Sequence, residues 1–232
     1  MSLPDTEWDR SAAVQAAATG LFSAADALAQ ACRYWELLAG PGHERGFMGP
    51  RELPILWSRH ILPCASLAGI LRRGASVIDI GSGAGLPGLP VAIARPDLSV
   101  TLLEPLLKRS VFLQECVDEL GLTNVTVVRG RAEDKQVMKQ LRAEGGFHFA
   151  TSRAVASLAQ ITRWSLPLLR VGGEMLAMKG ASAAEEIARD ARDIRTMHGS
   201  APKLVEIPVG GAGGAIAIEE EPVRIVRVVR VS

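Results

Sequence analysis

Residues 77–88 read Val-Ile-Asp-Ile-Gly-Ser-Gly-Ala-Gly-Leu-Pro-Gly, and no other stretch restricts the fold as much. A short apolar run meets glycines at 81, 83, 85 and 88 and then a second apolar segment. That is the order strand, tight loop, helix. Glycine lets the backbone turn sharply and approach a ligand with no Cβ in the way. In parallel sheets, ligands bind just beyond the carboxyl ends of the strands, which is where this loop falls.

The rest of the chain repeats the pattern. Short apolar runs at 77–80, 100–103, 125–128, 147–151 and 174–178 read as strands, separated by helical segments at 91–94, 108–120, 155–169 and 183–198. Strands at 204–209 and 223–231 close the chain, joined through a glycine-rich turn at 210–214 with no room for a helix, so they form a hairpin. Right-handed βαβ units then build a mostly parallel α/β sheet with helices on both faces. A seven-stranded sheet of this kind, finished by an antiparallel C-terminal hairpin, is the Rossmann-like layout of class I methyltransferases.

Upstream, residues 1–11 read as loose and acidic. Apolar residues then recur at 14, 18, 21, 25, 28, 32 and 35, a helix face interrupted at Gly20 and restarted by Ser23 and Asp26. Gly40-Pro41-Gly42 ends that helix, and a second starts near Pro50 with Leu53, Leu56, Trp57 and His60 at helical spacing. We divide the chain into a helical N-terminal cap, 1–72, and an α/β core, 73–232.

Two ligands compete for the loop. Gly83, Gly85 and Gly88 also fit a dinucleotide pattern. Such a loop seats a pyrophosphate dianion, which Asp79, two residues before the first glycine, would repel. The same carboxylate suits the cationic sulfonium and amino group of S-adenosylmethionine, which favours a methyltransferase over a dehydrogenase. Glu104 ends the second strand and can accept both ribose hydroxyls of an adenosine. The segment 131–134 follows the third strand, where an adenine ring would lie.

Several further segments resemble the glucose-inhibited division protein B family of 16S ribosomal RNA guanine-N7 methyltransferases, in the style of actinobacterial members. They are 78–90, 94–97, Leu102-Leu-Glu-Pro105, Lys108-Arg109, Phe112-Leu113, Gly130-Arg-Ala-Glu133, Ser152-Arg-Ala-Val155, Met178-Lys-Gly180, Gly49-Pro-Arg-Glu52 and Trp57-Ser-Arg-His60. The resemblance implies S-adenosylmethionine as cofactor, with contacts at Gly81, Leu86, Ala132, Glu133 and Arg153. It implies 16S ribosomal RNA or the small subunit as partner. His148 departs from it, because many members carry an acid there, and Gly40–Met48 replaces an Asn-rich segment.

With the loop, the cofactor set becomes Asp79, Gly81, Gly83, Gly85, Leu86, Glu104, Ala132, Glu133 and Arg153. Arg153, Lys179 and His60 are the candidate catalytic residues. Arg153 sits past a central strand, where a guanidinium could grip a carboxylate or phosphate with two parallel bonds, and Lys179 has the equivalent place on the next strand. Arg59, Lys108, Arg109 and Arg131 are the candidate RNA contacts. Guanine N7 has an in-plane lone pair and no proton to lose, so its methylation needs placement rather than a strong base. In keeping with this, the Asn/Asp-Pro-Pro-Tyr motif of amino methylation is absent. Pro63-Cys64 precedes the loop, the wrong place for a nucleophile of cytosine methylation.

Charge bears on the partner. The formal net charge is +1, which excludes a polybasic coat. Segments differ, however: 1–40 carries five acids and two bases, whereas 146–180 carries four bases and one acid, and 61–110 five bases and three acids. A confined basic patch near the pocket is expected. Cys32, Cys64 and Cys116 are odd in number and far apart, which predicts reduced buried thiols and no metal site. Asp5, Glu7 and Asp9 lack the basic start of a secretory signal, and the apolar run 61–71 is too short to span a bilayer, so we expect a cytoplasmic monomer with no membrane partner. The alternatives carried forward are a small-molecule methyltransferase and a ribosome-docking protein that binds the cofactor without turnover.

Overall fold

The computed structural model describes residues 11–143, 145–210 and 221–232. The expectations for residues 1–10 and for the glycine turn at 211–214 lie outside the described residues. Seven strands form: β1 (Ser76–Ile80), β2 (Ser99–Glu104), β3 (Val125–Arg129), β4 (Phe147–Arg153), β5 (Leu169–Lys179), β6 (Lys203–Ile207) and β7 (Val223–Val229). They make one sheet in the order β3-β2-β1-β4-β5-β7-β6. The first five strands pair in parallel, and β7 runs antiparallel to both β5 and β6. The chain winds outward from β1 to β3 and then returns to start again at β4. The point where the order reverses lies between β1 and β4, the place where such sheets open a crevice.

Alternation along β1 sets the layers. Val77 joins a buried cluster with Leu89, Val100, Leu102 and Phe112, on the side of helices α4 (Gly88–Ala94) and α5 (Leu107–Glu119). Ile78 and Ile80 face the other cluster, shared with α7 (Leu158–Ser165) and α8 (Ala183–Thr196). Helices α1 (Ala12–Leu21) and α2 (Ala27–Leu37) and the helical run 53–70 pack into the first cluster through Val14, Tyr34, Trp57 and Leu62. Full burial of such side chains contributes about 1.5–3 kcal/mol each, so this attachment is firm.

Local departures from the expected elements have physical causes. Helix α1 continues through Gly20, capped by Ser11, whose Oγ accepts the Val14 N–H. The restart at Asp26 comes from a left-handed backbone, φ 63°, and not from a side-chain cap. Gly40-Pro41-Gly42 does not stop the chain's winding. It widens it into a π turn, Leu38–Gly42, that accommodates a proline with no N–H. The helix expected from Pro50 is a composite of a 3-10 turn (Leu53–Ile55), a π segment (Leu56–Ile61), α3 (Leu62–Ser66) and a 3-10 turn (Leu67–Ile70). Helix α7 starts at Leu158 rather than 155, capped by Ser157, so 154–157 is loop. Helix α6 (Lys135–Leu141) was not expected. Asp134 caps it, accepting the N–H groups of Gln136 and Val137.

Candidate active site

At the carboxyl ends of β1, β2 and β4 lies a cleft of about 560 Å³. The glycine loop forms its floor. Gly81 and Gly83 adopt positive φ of 70° and 57°, and a Cβ on Gly81 would lie 2.8 Å from the Val155 side chain. Only glycine meets both demands there. The loop is tied from both sides. Tyr34 of α2 donates its hydroxyl to the Ala84 carbonyl at 2.8 Å, and Glu104 accepts the Gly83 N–H at 2.9 Å. The other Glu104 oxygen accepts the Leu106 N–H, so this carboxylate, at the end of β2, is fixed in the cleft wall.

Gly81, Gly83, Leu86, Glu104, Arg109, His60 and Arg153 all line this cleft, as the sequence suggested. A narrow apolar side slot opens from it, sharing Gly81, Pro105 and Val155. Ile80, Leu103, Ala132 and Trp164 line the slot, with Arg131 and Glu133 at its edge. Glu133 is the carboxylate among its lining residues. Asp134 is the cap of α6 instead.

Two of the expected cofactor residues do not line the cleft. Asp79 is fully buried and does not line the cleft. Its Oδ2 accepts the Gly88 N–H at 3.1 Å and its Oδ1 the Thr151 hydroxyl at 3.2 Å, so it pins the start of α4 to β4 beneath the loop. Burial pushes its carboxyl up to about 7, against the hydrogen bonds that it accepts. Gly85 also lies below the surface. A Cβ there would lie 2.4 Å from Leu89 Cδ1 and 2.9 Å from the Tyr34 hydroxyl, so its glycine serves packing.

Arg153 stands where the cleft meets a second cavity of about 910 Å³. Arg153 and Ala154 line both, and Ala154 holds a positive φ of 52° that alanine seldom adopts. The Arg153 fork is not open for a two-bonded grip on a ligand. Nη2 donates to the Arg59 carbonyl at 3.0 Å and to His60 Nδ1 at 2.8 Å, and Nη1 approaches the Cys64 sulfur at 3.3 Å. The guanidinium therefore clamps β4 to the cap. His60 Nε2 in turn bonds Glu52, which also lines the cleft. Burial, then the Arg153 charge, lowers the pKa of His60 below its ordinary value, with Glu52 opposing. Cys64 is fully buried and burial raises its thiol pKa, which disfavours a nucleophilic thiolate.

Lys179 lies apart from the glycine loop. It borders the second cavity, where Nζ bonds Glu186 and the Ala156 carbonyl, each at 2.8 Å, so its charge is already engaged. Arg59 lines the same cavity. Lys108 is exposed on α5 and lines neither cavity. His148 sits at the opposite end of β4, its Nδ1 accepting the Ser76 N–H at 2.9 Å. Arg153 lies five positions further along the strand, roughly 16 Å away, so the departure of His148 from the family pattern does not reach the cleft. Glu52, Ala84, Ala154 and Val155 were missed as lining residues. Glu52 stood inside a quoted motif, but nothing in its spacing showed that His60 would turn toward it.

A family profile described as rRNA small subunit methyltransferase G (GidB) matches residues 27–208, more than half of the chain. The chain belongs to this family. A ribosomal RNA small subunit methyltransferase G from Corynebacterium efficiens is 53% identical over 214 residues, covering 92% of this chain and 87% of that protein. One from Rhodococcus jostii is 52% identical over 204 residues, 88% and 86% of the two chains. Among solved structures, a predicted O-methyltransferase from Agrobacterium tumefaciens aligns with a TM-score of 0.55 at 20% identity, over 75% of this chain and 81% of that one. M. jannaschii TYW2 in complex with AdoMet aligns with a TM-score of 0.54 at 15% identity, over 75% and 77%. At such identities these two show the shared methyltransferase fold. Membership of the methyltransferase G family and the sheet order agree with one another. Among the described residues, no helix is long and apolar enough to cross a membrane.

Proposed function

We propose that this chain transfers a methyl group from S-adenosylmethionine to N7 of a guanine in small-subunit ribosomal RNA. The observation that carries the reading is the shared wall. One cleft, floored by Gly81 and Gly83 and ending in an apolar slot, backs directly onto a second cavity through Arg153 and Ala154. The cleft suits an adenosine. Glycine brings the backbone close, Glu104 keeps unused lone pairs for hydroxyl donors, and Ile80, Leu103 and Ala132 offer a flat apolar slot. When bound, the cofactor supplies an electrophilic methyl group on a sulfonium.

The residues do the remaining work by placement. Guanine N7 attacks with its own lone pair, so no side chain has to remove a proton. This matches a site in which Arg153 and His60 are engaged with one another and with the cap. The rate gain then rests on orientation and on fixed charges in a partly dry cleft. RNA would approach over the exposed cations Arg59, Lys108 and Arg131 and the half-buried Arg109.

The test is a mass-spectrometric census of 7-methylguanosine in 16S ribosomal RNA from cells with and without the gene. Loss of one modified guanosine, restored by the gene, is expected. An unchanged census would overturn the reading in favour of a docking protein without turnover.

A further inference from the structure

The contacts that hold Arg153 form a directional chain. Arg153 can only donate, so His60 Nδ1, 2.8 Å from Nη2, must present a lone pair. The one ring proton of a neutral His60 then sits on Nε2, where Glu52 Oε2 accepts it. His60 is nearly buried, its side chain 13% exposed, whereas Glu52 reaches it from a half-exposed position ahead of the 3-10 turn. The groups around the imidazole come from several elements. Arg153 faces it from β4 and Glu52 from the cap, Arg59 precedes it, and Cys64 lies beyond it on the Arg153 fork. Glu104 and Arg109 share the cleft from the β2 side.

We propose that Glu52 and His60 are positioning residues for Arg153, and that the wall between the two cavities is set only while His60 is neutral. A proton added at Nδ1 removes the acceptor and places an imidazolium against a guanidinium that cannot release its own charge. The guanidinium then loses its imidazole partner and is repelled by it, and only the Arg59 carbonyl and the Nη1 contacts remain to hold it at a wall that borders both cavities. This sets a low-pH limit on turnover that belongs to the wall and not to the chemistry at N7. Burial and the Arg153 charge both hold His60 neutral at ordinary pH, so the limit lies on the acid side of its usual range.

Two variants and one spectroscopic measurement test the proposal. His60→Gln keeps an acceptor for Arg153 but cannot titrate. Glu52→Gln keeps an acceptor for Nε2–H but loses the negative charge that favours imidazolium. Turnover is read as the ratio of variant to wild-type kcat with saturating small subunits and S-adenosylmethionine, which cancels any titration that the two proteins share, that of Asp79 included. The His60→Gln ratio is expected to rise by at least about threefold between pH ~8 and pH ~5, because only the wild type can lose its acceptor. The Glu52→Gln ratio is expected to rise in the same direction, because without the carboxylate its His60 is harder to protonate. A purely structural role would lower each ratio by the same factor at every pH, and flat ratios would overturn the proposal. Should His60→Gln fail to fold, Glu52→Gln at its half-exposed position decides alone.

The turnover measurement rests on the methyltransfer reading. Nitrogen NMR of the His60 ring in wild-type protein does not. It is expected to show a bare Nδ1 and a protonated Nε2 near neutral pH. A proton on Nδ1 would overturn the relay even if methylation is intact, whereas the expected tautomer in a protein with no turnover would sink the methyltransfer reading alone.

Discussion

Asp79 should make stability depend on pH in the direction opposite to that of most carboxylates, and replacing it by Asn should remove that dependence. Burial pushes the Asp79 carboxyl up to about 7. In the unfolded chain an aspartate titrates near ~3.9, so across the interval between them the native state holds a proton that the unfolded chain has released. The stabilisation tied to that proton is complete at low pH and is lost as pH rises through about 7. At about 1.4 kcal/mol per unit, the wild type loses about 3 kcal/mol at this site between pH ~5 and ~8. Asn does not titrate. It keeps one acceptor for the Gly88 N–H or the Thr151 hydroxyl and gives up the other, a loss of about 1 kcal/mol. The variant should therefore be slightly less stable than the wild type at the acid end and about 2 kcal/mol more stable at the alkaline end. For a chain of this length, 1 kcal/mol moves Tm by about 2–4 °C, so the difference in Tm, variant minus wild type, should climb by roughly 6–12 °C. Thermal melts of the cofactor-free proteins across this range provide the measurement. A difference that stays flat would mean that Asp79 is ionised throughout and would refute the argument.

Tyr34→Phe removes the hydroxyl that holds the Ala84 carbonyl; a loss of about 1 kcal/mol, or 2–4 °C in Tm, is expected together with weaker cofactor binding by calorimetry. Lys179→Ala leaves Glu186 with its bonds to Leu158 N–H and Ser182 and only the more distant Arg189, at 3.9 Å, as a cation, and should cost about 2 kcal/mol in chemical denaturation while leaving cofactor affinity intact. Equal loss of cofactor affinity in this variant and in Gly81→Val would show that the two cavities are not separate. Arg131→Ala, at an exposed position, should weaken RNA binding and reduce the slope of log affinity against log salt by about one, measured by filter binding; an unchanged slope removes Arg131 from the RNA surface.

The sheet was legible because its signals are local. Each strand is an apolar run ended by glycine, proline or charge, and the order of strands and helices leaves few ways to wind them. Helix α6 escaped because its apolar face is thin, the partly buried Val137, Met138 and Leu141, and because segment 131–134 was read as a border of the adenine site and not as a helix start. In the site, Gly81 lines the cleft in a conformation that no side chain can replace, and its place in the motif was visible in the sequence. Residues whose charge has two possible partners were harder to read. Asp79, Arg153 and Lys179 were each assigned to a ligand, yet each is engaged by protein groups: Gly88 and Thr151, His60 and Arg59, and Glu186. A charge at a strand end is visible in a sequence. Which neighbour claims it is decided in the folded chain, by Glu186, seven residues from Lys179, as much as by Thr151, 72 residues from Asp79, or Arg59, 94 from Arg153, and a charge at a strand end carries no record of that choice.

The partition formed by Arg153 and Ala154 has a practical consequence. It is one residue pair thick and its two faces line different cavities. A single compound that joins an adenosine-like head to a purine-like head through a short linker would displace two ligands at once. Its affinity would draw on both cavities while losing translational freedom only once. Selectivity over other enzymes with a similar glycine loop would come from the linker, which must pass a guanidinium anchored by the cap rather than by the sheet.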